Sequence, residues 1–491
     1  MAPDSPELKE LQKRFATDVH VQAVEQTIAK LDLKLLHEAY RGTGSPPYRP
    51  ERMLAIALFL ILRGVGSPAR WAENAATKDQ CKLLGRGITP SRTAMYNFRD
   101  RAAKFIESVN DVVVHQAIDR GVIQPGEGCL DGTFVASTAS RHQVYRISQI
   151  SKRMAIIKRA IRQRDDARQV ASKRCLKSSP SWLAKTPRGR RQQLKRFREA
   201  KAEILEQIGE NRARPKSLQR DENCIVVSPS DPDAVIGKDK HRVVRPLYNV
   251  QYMCDFRSDV IWSFGVFRKK NDSGTLIPMI ERTEAASGRR LKRVHADSGY
   301  CSLLELEDAV EKDVDLFAPV SDRAGSNGLP TASGKPQLRR QRFHWDASSQ
   351  QMSCPTGHPM RRVSRSKDPR GDNRFVTELR FEQSAEVCSG CDLADQCLTI
   401  GSKRRTLRRL ENQDLLDQQA LKMDSEAGRE SMRRRAIQVE RRYGDSKKHR
   451  GGREFHGRGI QRVTAETGLL VLAQNSLTLH NLANSRIRDG T

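Results

Sequence analysis

The chain has 491 residues with 88 Lys or Arg against 59 Asp or Glu, a formal charge of +29, and is 37% hydrophobic but only 5% aromatic. That length accommodates two to four domains, each able to bury a core of its own. The longest apolar run, Met53–Leu62, is about half of what a bilayer span needs and is bounded by Arg52 and Arg63, so it is expected as a buried helix and no membrane association is expected. The opening MAPDSPELKELQKR is charged where an export signal needs an apolar stretch; a cytoplasmic protein whose ten cysteines are reduced thiols is expected.

The positive charge is not spread evenly. Ser151–Arg220 holds 22 Lys or Arg against 6 Asp or Glu, a net +16 in 70 residues. A solvated surface does not require such concentration, whereas contacts to phosphate do.

In chain order, residues 1–121 read as helical. Pro50 starts a helix through the apolar run, Ser67 and Pro68 read as a cap and first-turn proline, and Ser91 caps a basic helix carrying Arg92, Arg99 and Arg101. Three short helices with a basic third fit a helix-turn-helix DNA-binding module. They fit equally an ordinary bundle whose arginines face water, and spacing does not choose between the two. From Gly128 the pattern changes to a short strand ending at Asp131, within residues 122–150. The basic insert, 151–220, interrupts, and strand signals resume within 221–342. Leu247–Cys254 and Val260–Phe267 flank the turn-like DFRSD as a hairpin, LKRVHADSGY reads as a strand entering a turn, LLELEDAVEK as a helix and VDLFAPV as a strand. This order predicts a mixed α/β sheet flanked by helices, with Asp131 and Asp297 at strand ends, where ligands of such sheets collect. Ser321–Lys335 is rich in Gly and Ser and reads as a loop. A cysteine-bearing insert spans 343–398, and 399–491 reads as helical, closing on the apolar TGLLVLAQNSLTLHNLA.

Three acids stand in contexts suited to meeting: Asp131 in GCLDGTFVAS, Asp297 in RVHADSGYC and Glu440 in AIQVERRYGDSKK. Phosphoryl transfer uses two hard cations about 3.5–4 Å apart, for which carboxylates are the natural ligands. The sequence therefore predicts a site for two Mg²⁺ or Mn²⁺ ions. Lys447, seven residues after Glu440, returns to within about 20° of the same helix face, where it would hold a DNA phosphate beside the ion. Taken singly, each acid is equally a turn or cap residue. Asp255, Asp272 and Glu466 are competing carboxylates. Cys354, Cys388, Cys391 and Cys397 form C-x33-C-x2-C-x5-C, with His358 four residues after the first; clustered thiolates of this spacing predict a structural Zn²⁺ site rather than packing cysteines. The other six cysteines show no pairing.

LDGTFVASTAS, SPSDPDAVIGKDK with PLYNVQ, VHADSGY, the cysteine set, and VERRYGDSKK followed by EFHGRGIQRVTAETGLLVLAQN, in this order, resemble bacterial insertion-sequence transposases with a DDE catalytic domain of ribonuclease H-like fold. The resemblance runs from about Tyr48 to the last helix. It implies that Asp131, Asp297 and Glu440 are catalytic metal ligands. It also implies a DNA-binding set of Lys447, Lys448, Arg450, Arg458 and Arg435. Relatives carry Tyr and Arg seven and four residues before the Glu, where this chain has Arg433 and Ala436, so Arg434 or Arg435 takes that place. The expected partners are double-stranded transposon ends and target DNA, bound by a homodimer near the nucleoid. A nuclease that cuts without rejoining, or an inactive DNA-binding derivative, are the alternatives.

Overall fold

The structure, a computed structural model, describes residues 5–40, 48–124, 126–167, 180–214, 216, 219–320, 331, 333–334, 337–338, 340–369 and 374–488. Cys175 and most of the Ser321–Lys335 segment lie outside these residues.

Among the described residues, eight helices precede the first strand: α1 (Pro6–Arg14), α2 (Val19–Lys30), α3 (Leu33–Glu38), α4 (Pro50–Leu62), α5 (Pro68–Thr77), α6 (Asp79–Gly85), α7 (Arg92–Ala102) and α8 (Ile106–Asp119). Side chains that occupy the open N–H groups of a first turn set several starts: Ser5, Asp18, Asp32 and Ser91 each accept such a bond. Pro50 and Pro68 begin α4 and α5, where a missing N–H costs nothing. The apolar run predicted as a buried helix is α4, whose residues Met53–Leu62 are all buried.

The chain forms two compact units, one of residues 1–292 with 434–491 and the other of residues 293–433. In the first unit, β1 (Glu127–Ala136) pairs antiparallel with β3 (Val244–Asp255), Asp131 lying opposite Tyr252 and Thr133 opposite Val250. On its other edge β3 pairs with β2 (Val235–Lys238) and β4 (Ile261–Phe267). The predicted hairpin is therefore β3–β4, and Asp255 closes its turn by accepting from the Arg257 and Ser258 N–H groups at 3.1 and 2.5 Å. The basic insert is a helical hairpin, α9 (Ile147–Ala167) and α10 (Pro187–Arg212), with its own core of Ile150, Ile157, Leu194, Phe197 and Ile204. Helix α11 (Leu276–Ser287) follows β4.

The second unit begins with β5 (Arg293–His295), α12 (Leu303–Glu311) and β6 (Asp315–Phe317), the two strands parallel and the helix started by a Ser302/Glu305 capping box. A second, antiparallel sheet follows, of β7 (His344–Asp346), β8 (Gln351–Ser353), β9 (Pro359–Pro369), β10 (Phe375–Glu382) and β11 (Thr406–Leu410). Short helices α13 (Ala385–Ser389) and α14 (Ala394–Cys397) carry the last three cysteines or lie beside them, and α15 (Gln413–Asp424) follows. Between Cys354 and Cys388 lie β9 and β10, paired antiparallel.

Helix α16 (Glu426–His449) begins in the second unit, and its residues from Arg434 onward belong to the first, as does α17 (Ile460–Arg488). The α/β class and the helical N-terminal region are as predicted. The helices before β1 do not close a core among themselves: Leu54, Leu58, Trp71, Phe98 and Ile106 share one with Tyr248 and Phe264 of the sheet and with Val463, Leu469 and Leu472 of α17. Among the described residues no helix is long and apolar enough to cross a membrane.

Candidate active site

Strand alternation sends Asp131 and Thr133 to one face of β1 and Gly132 to the other. On the first face lies the 434–449 part of α16. Tyr443, buried in α16, donates its hydroxyl proton to the backbone carbonyl of Asp131 at 2.6 Å and accepts from the Tyr252 N–H at 3.1 Å. Its ring stacks on that of Tyr252, with centroids 4.8 Å apart and planes 9° from parallel. One turn later Lys447 Nζ binds Thr133 Oγ1. Two turns earlier Arg435 Nη2 donates to Asp131 Oδ1 at 2.7 Å, a pair whose side chains are 13% and 21% exposed. The helix is thus fixed along the strand by three polar clasps. Glu440, three residues before Tyr443 and seven before Lys447, lies within about 60° and 20° of them around the helix, and it is exposed.

The opposite face explains the glycine of LDGT. Asn249 Nδ2 and Gln251 Nε2 both donate to Asp272 Oδ1, at 2.9 and 2.7 Å, and Gln251 also bonds Asn249 at 2.7 Å. A Cβ on residue 132 would collide with the Gln251 amide and the Asp272 carboxylate. Gly132 therefore lets this buried amide network pass directly under the strand that carries Asp131.

Asp297 follows β5 in the second unit, as predicted, and accepts from the Gly299 N–H at 2.7 Å to start a short 3₁₀ turn. His295, two residues earlier, is buried with Nδ1 2.6 Å from Ser431 Oγ. The three competing carboxylates all have structural tasks. Asp255 closes its hairpin, Asp272 holds the amide network, and buried Glu466 pairs with Arg99 at 2.5 Å and accepts from the His456 N–H at 2.8 Å.

The expected DNA-binding cations divide by depth. Lys448 is exposed. Arg458 is exposed too, with Nε 3.1 Å from Thr138 Oγ1. Arg450 is held by Asp445 at 3.1 Å and by the Leu62 carbonyl. Lys447 is half-buried, and burial with the neighbouring Lys240 draws its ammonium below the ordinary range against the opposing pull of Asp131. Lys447, Arg450, Tyr443 and Thr133 border a cavity of about 50 Å³ with His456 and Glu466.

In the second unit all four predicted cysteines line one cavity of about 20 Å³. The Cys354 N–H donates to the His358 carbonyl at 2.9 Å and the Gly357 N–H to the Cys354 carbonyl at 2.8 Å, a tight turn presenting the thiol. Burial raises the Cys354 thiol, but hydrogen bonds from Thr356 and His358 outweigh it and bring it to about 7; burial pushes Cys397 up to about 11. His358 Nδ1 stands 3.9 Å from the Cys354 sulfur. Among the described residues, no three His, Cys, Asp or Glu side chains are drawn together closely enough to form a metal-binding group, so neither the carboxylates nor the thiols are a closed ligand set.

The donor chemistry nonetheless suits the expected ions. Asp131 and Glu440 offer hard oxygens for Mg²⁺, the four thiols offer soft donors for Zn²⁺, and Asp131 already holds a positive group at Oδ1.

Residues 353–480 match a family model described as a transposase DDE domain. The match spans 128 of the 491 residues, just over a quarter of the chain. The matched segment contains the cysteine set, Glu440, Tyr443 and Lys447, and it precludes neither Asp131 nor Asp297, which lie before it. No curated protein and no solved structure matches the chain. The family likeness supports a transposase-type function.

Sequence reasoning missed Tyr443, Arg435 as the partner of Asp131, and the amide network under Gly132. Only the last had a signal, the polar Asn249 and Gln251 inside an otherwise strand-like apolar run.

Proposed function

We propose that this DDE-domain chain is an insertion-sequence transposase that cleaves transposon ends and joins them to target DNA. The observation that carries the reading is the fastening of α16 along β1, which brings the helix of Glu440 against the strand of Asp131 inside a chain bearing the transposase domain. In this reading Asp131, Asp297 and Glu440 hold two Mg²⁺ or Mn²⁺ ions. When bound, these ions supply activation of the attacking oxygen and stabilisation of the leaving oxygen.

The remaining work falls to side chains. Tyr443 fixes the backbone of the Asp131 strand against α16, Lys447 holds α16 to Thr133, and exposed Lys448 and Arg458 bind DNA phosphates. Water is the first nucleophile and the freed 3′-hydroxyl the second, at the same site, so no covalent protein–DNA intermediate is required. The chain acts as a homodimer on paired ends near the nucleoid, with one Zn²⁺ held by Cys354, Cys388, Cys391 and Cys397 as a structural ion.

The test is strand cleavage and strand transfer on an end-containing duplex with Mg²⁺. Asp131→Asn, Asp297→Asn and Glu440→Gln should each abolish both reactions while leaving duplex binding within a few-fold. Cleavage retained by any of the three overturns the assignment of that residue, and cleavage without transfer by the wild type points to a nuclease.

A further inference from the structure

The charge of the inserted hairpin is divided along its length. The first twelve residues of α10, Pro187–Arg198, contain six Lys or Arg and no acid; the following fourteen, Glu199–Arg212, contain four Glu against two cations. The two halves also face different surroundings. In the acidic half, Glu203 is paired with Arg268, just beyond β4, and is 13% exposed, so this end is fastened to the catalytic sheet. The basic half lies at the other end of α10, beside the C-terminal half of α9. Their junction is pinned by Arg190, 5% exposed, whose Nη1 donates to the Ala160 carbonyl at 2.8 Å and whose Nε donates to the Ala184 carbonyl at 2.9 Å.

Among the described residues, further cations of this distal end are on the surface. Arg188, Arg191, Lys195 and Arg198 of α10 are exposed, and so are Lys158, Arg159 and Arg162 of α9. At 100° per residue the four on α10 fall within an arc of about 80°, and at 1.5 Å per residue they extend over about 15 Å. A duplex strand advances about 3.4 Å per phosphate, so a stripe of this length spans about four phosphates. The faces that pack the hairpin, Leu194, Phe197, Ala200 and Ile204 on α10 and Ile150 and Ile157 on α9, are separate from the stripe.

We infer that the distal half of the α9–α10 hairpin is a phosphate-tracking surface for duplex DNA, with Arg188, Arg191, Lys195 and Arg198 as its main contacts and the acidic half as its mount. The surface reads charge and backbone spacing rather than base sequence, because its cations are point contacts on one helix stripe. This deepens the transposase reading and rests on it for the identity of the partner.

The experiment uses the full chain with all four stripe residues replaced by Gln, and separately a variant with Lys158, Arg159 and Arg162 replaced by Gln. Fluorescence anisotropy over a salt series measures affinity for an end-containing duplex, an unrelated duplex and a duplex RNA of equal length. Each phosphate contact contributes about 0.9 to the slope of log affinity against log salt. The four-residue variant should therefore lose about 3–4 from that slope, the α9 variant about 2–3, and both should weaken the two DNA duplexes to the same extent. Glu206→Gln with Glu210→Gln, on the mount, should leave the slope unchanged. An unchanged slope in both basic variants overturns the surface, and so does a loss confined to the end-containing duplex or a wild-type preference for RNA. If the slopes fall as stated while Asp131→Asn still cleaves, the surface stands and the catalytic reading falls.

Discussion

Arg435 donates through Nη2 to Oδ1 of Asp131 at 2.7 Å, joining residues 304 positions apart. A divalent ion bound by that oxygen must displace the guanidinium or share the carboxylate with it. Replacing Arg435 with Gln should therefore tighten Mn²⁺ binding to the DNA-free protein, on the order of tenfold for the loss of one partly buried charge pair. Calorimetric titration with Mn²⁺ measures this, and equal or weaker binding by the variant would show that Arg435 does not compete for the site.

Tyr443→Phe removes one oxygen and keeps the ring that stacks on Tyr252. The Asp131 carbonyl and Tyr252 N–H lose a shared partner in a buried place, at a cost of about 1–3 kcal/mol. Denaturant unfolding should register that loss. Cleavage rate should fall more than duplex affinity, because the altered contact fixes the strand of Asp131 and touches no surface cation. Equal losses in rate and affinity would mean that the hydroxyl serves only overall stability.

Gly132→Ala places a methyl group against the Gln251 amide and the Asp272 carboxylate. Strand pairing prevents β1 from moving away, so the network must break, leaving buried amides unsatisfied. A stability loss of more than about 2 kcal/mol is expected. Combining it with Gln251→Ala should restore part of the loss, and a double variant no better than the single would refute the steric account.

His480 gives a pH dependence of defined sign. Asn484 Nδ2 lies 2.9 Å from its Nε2 and Gln26 Oε1 3.1 Å from its Nδ1, a pattern that suits a neutral ring carrying its proton on Nδ1. Burial lowers its pKa from the ordinary 6.5, with Lys30 adding to the effect. The unfolded chain then takes up the proton more readily, so the contribution is complete above pH 6.5 and is lost as pH falls through the lower folded value. Melting temperature should decline on acidification below 6.5, and His480→Gln should flatten that decline. A parallel decline in the variant would place the effect elsewhere.

For the cysteine cavity, one Zn²⁺ per chain is expected by elemental analysis of protein purified without chelator, and none in Cys388→Ser with Cys391→Ser. Removing the ion should increase protease cleavage within residues 343–410, because the small core of Phe343, Met352, Leu379 and Phe381 would lose its cross-link. Zinc-free wild-type protein with unaltered protease resistance would count against a structural ion.

Much of this molecule was legible in the residues because its signals are local. The Ser91 cap, the α4 apolar run, the β3–β4 hairpin and the helix in LLELEDAVEK each depend on a few neighbouring positions. The face of Lys447 relative to Glu440 followed from helical period alone, but its depth did not. Period says where a side chain points, and only the packing of α16 on β1 decides that Lys447 meets Thr133 before it meets solvent. Tyr443 is an aromatic residue among charges, with no pattern marking its hydroxyl as the partner of a distant backbone. Arg435 is one of three consecutive arginines, and choosing among them requires knowing which stands opposite Asp131. The insert's net charge was countable, whereas its division into a basic and an acidic half acquired meaning only once Glu203 was seen against Arg268.

The sharing of one core between the first eight helices and α17 bears on how the molecule is made. A ribosome delivers Leu54, Trp71 and Phe98 hundreds of residues before Val463, Leu469 and Leu472. Until that late helix emerges, the flanks that pack on it stay uncovered, and nascent chains should depend on chaperones or on provisional packing. A prematurely terminated product would lack this keystone and present sticky surface, so quality control would clear it.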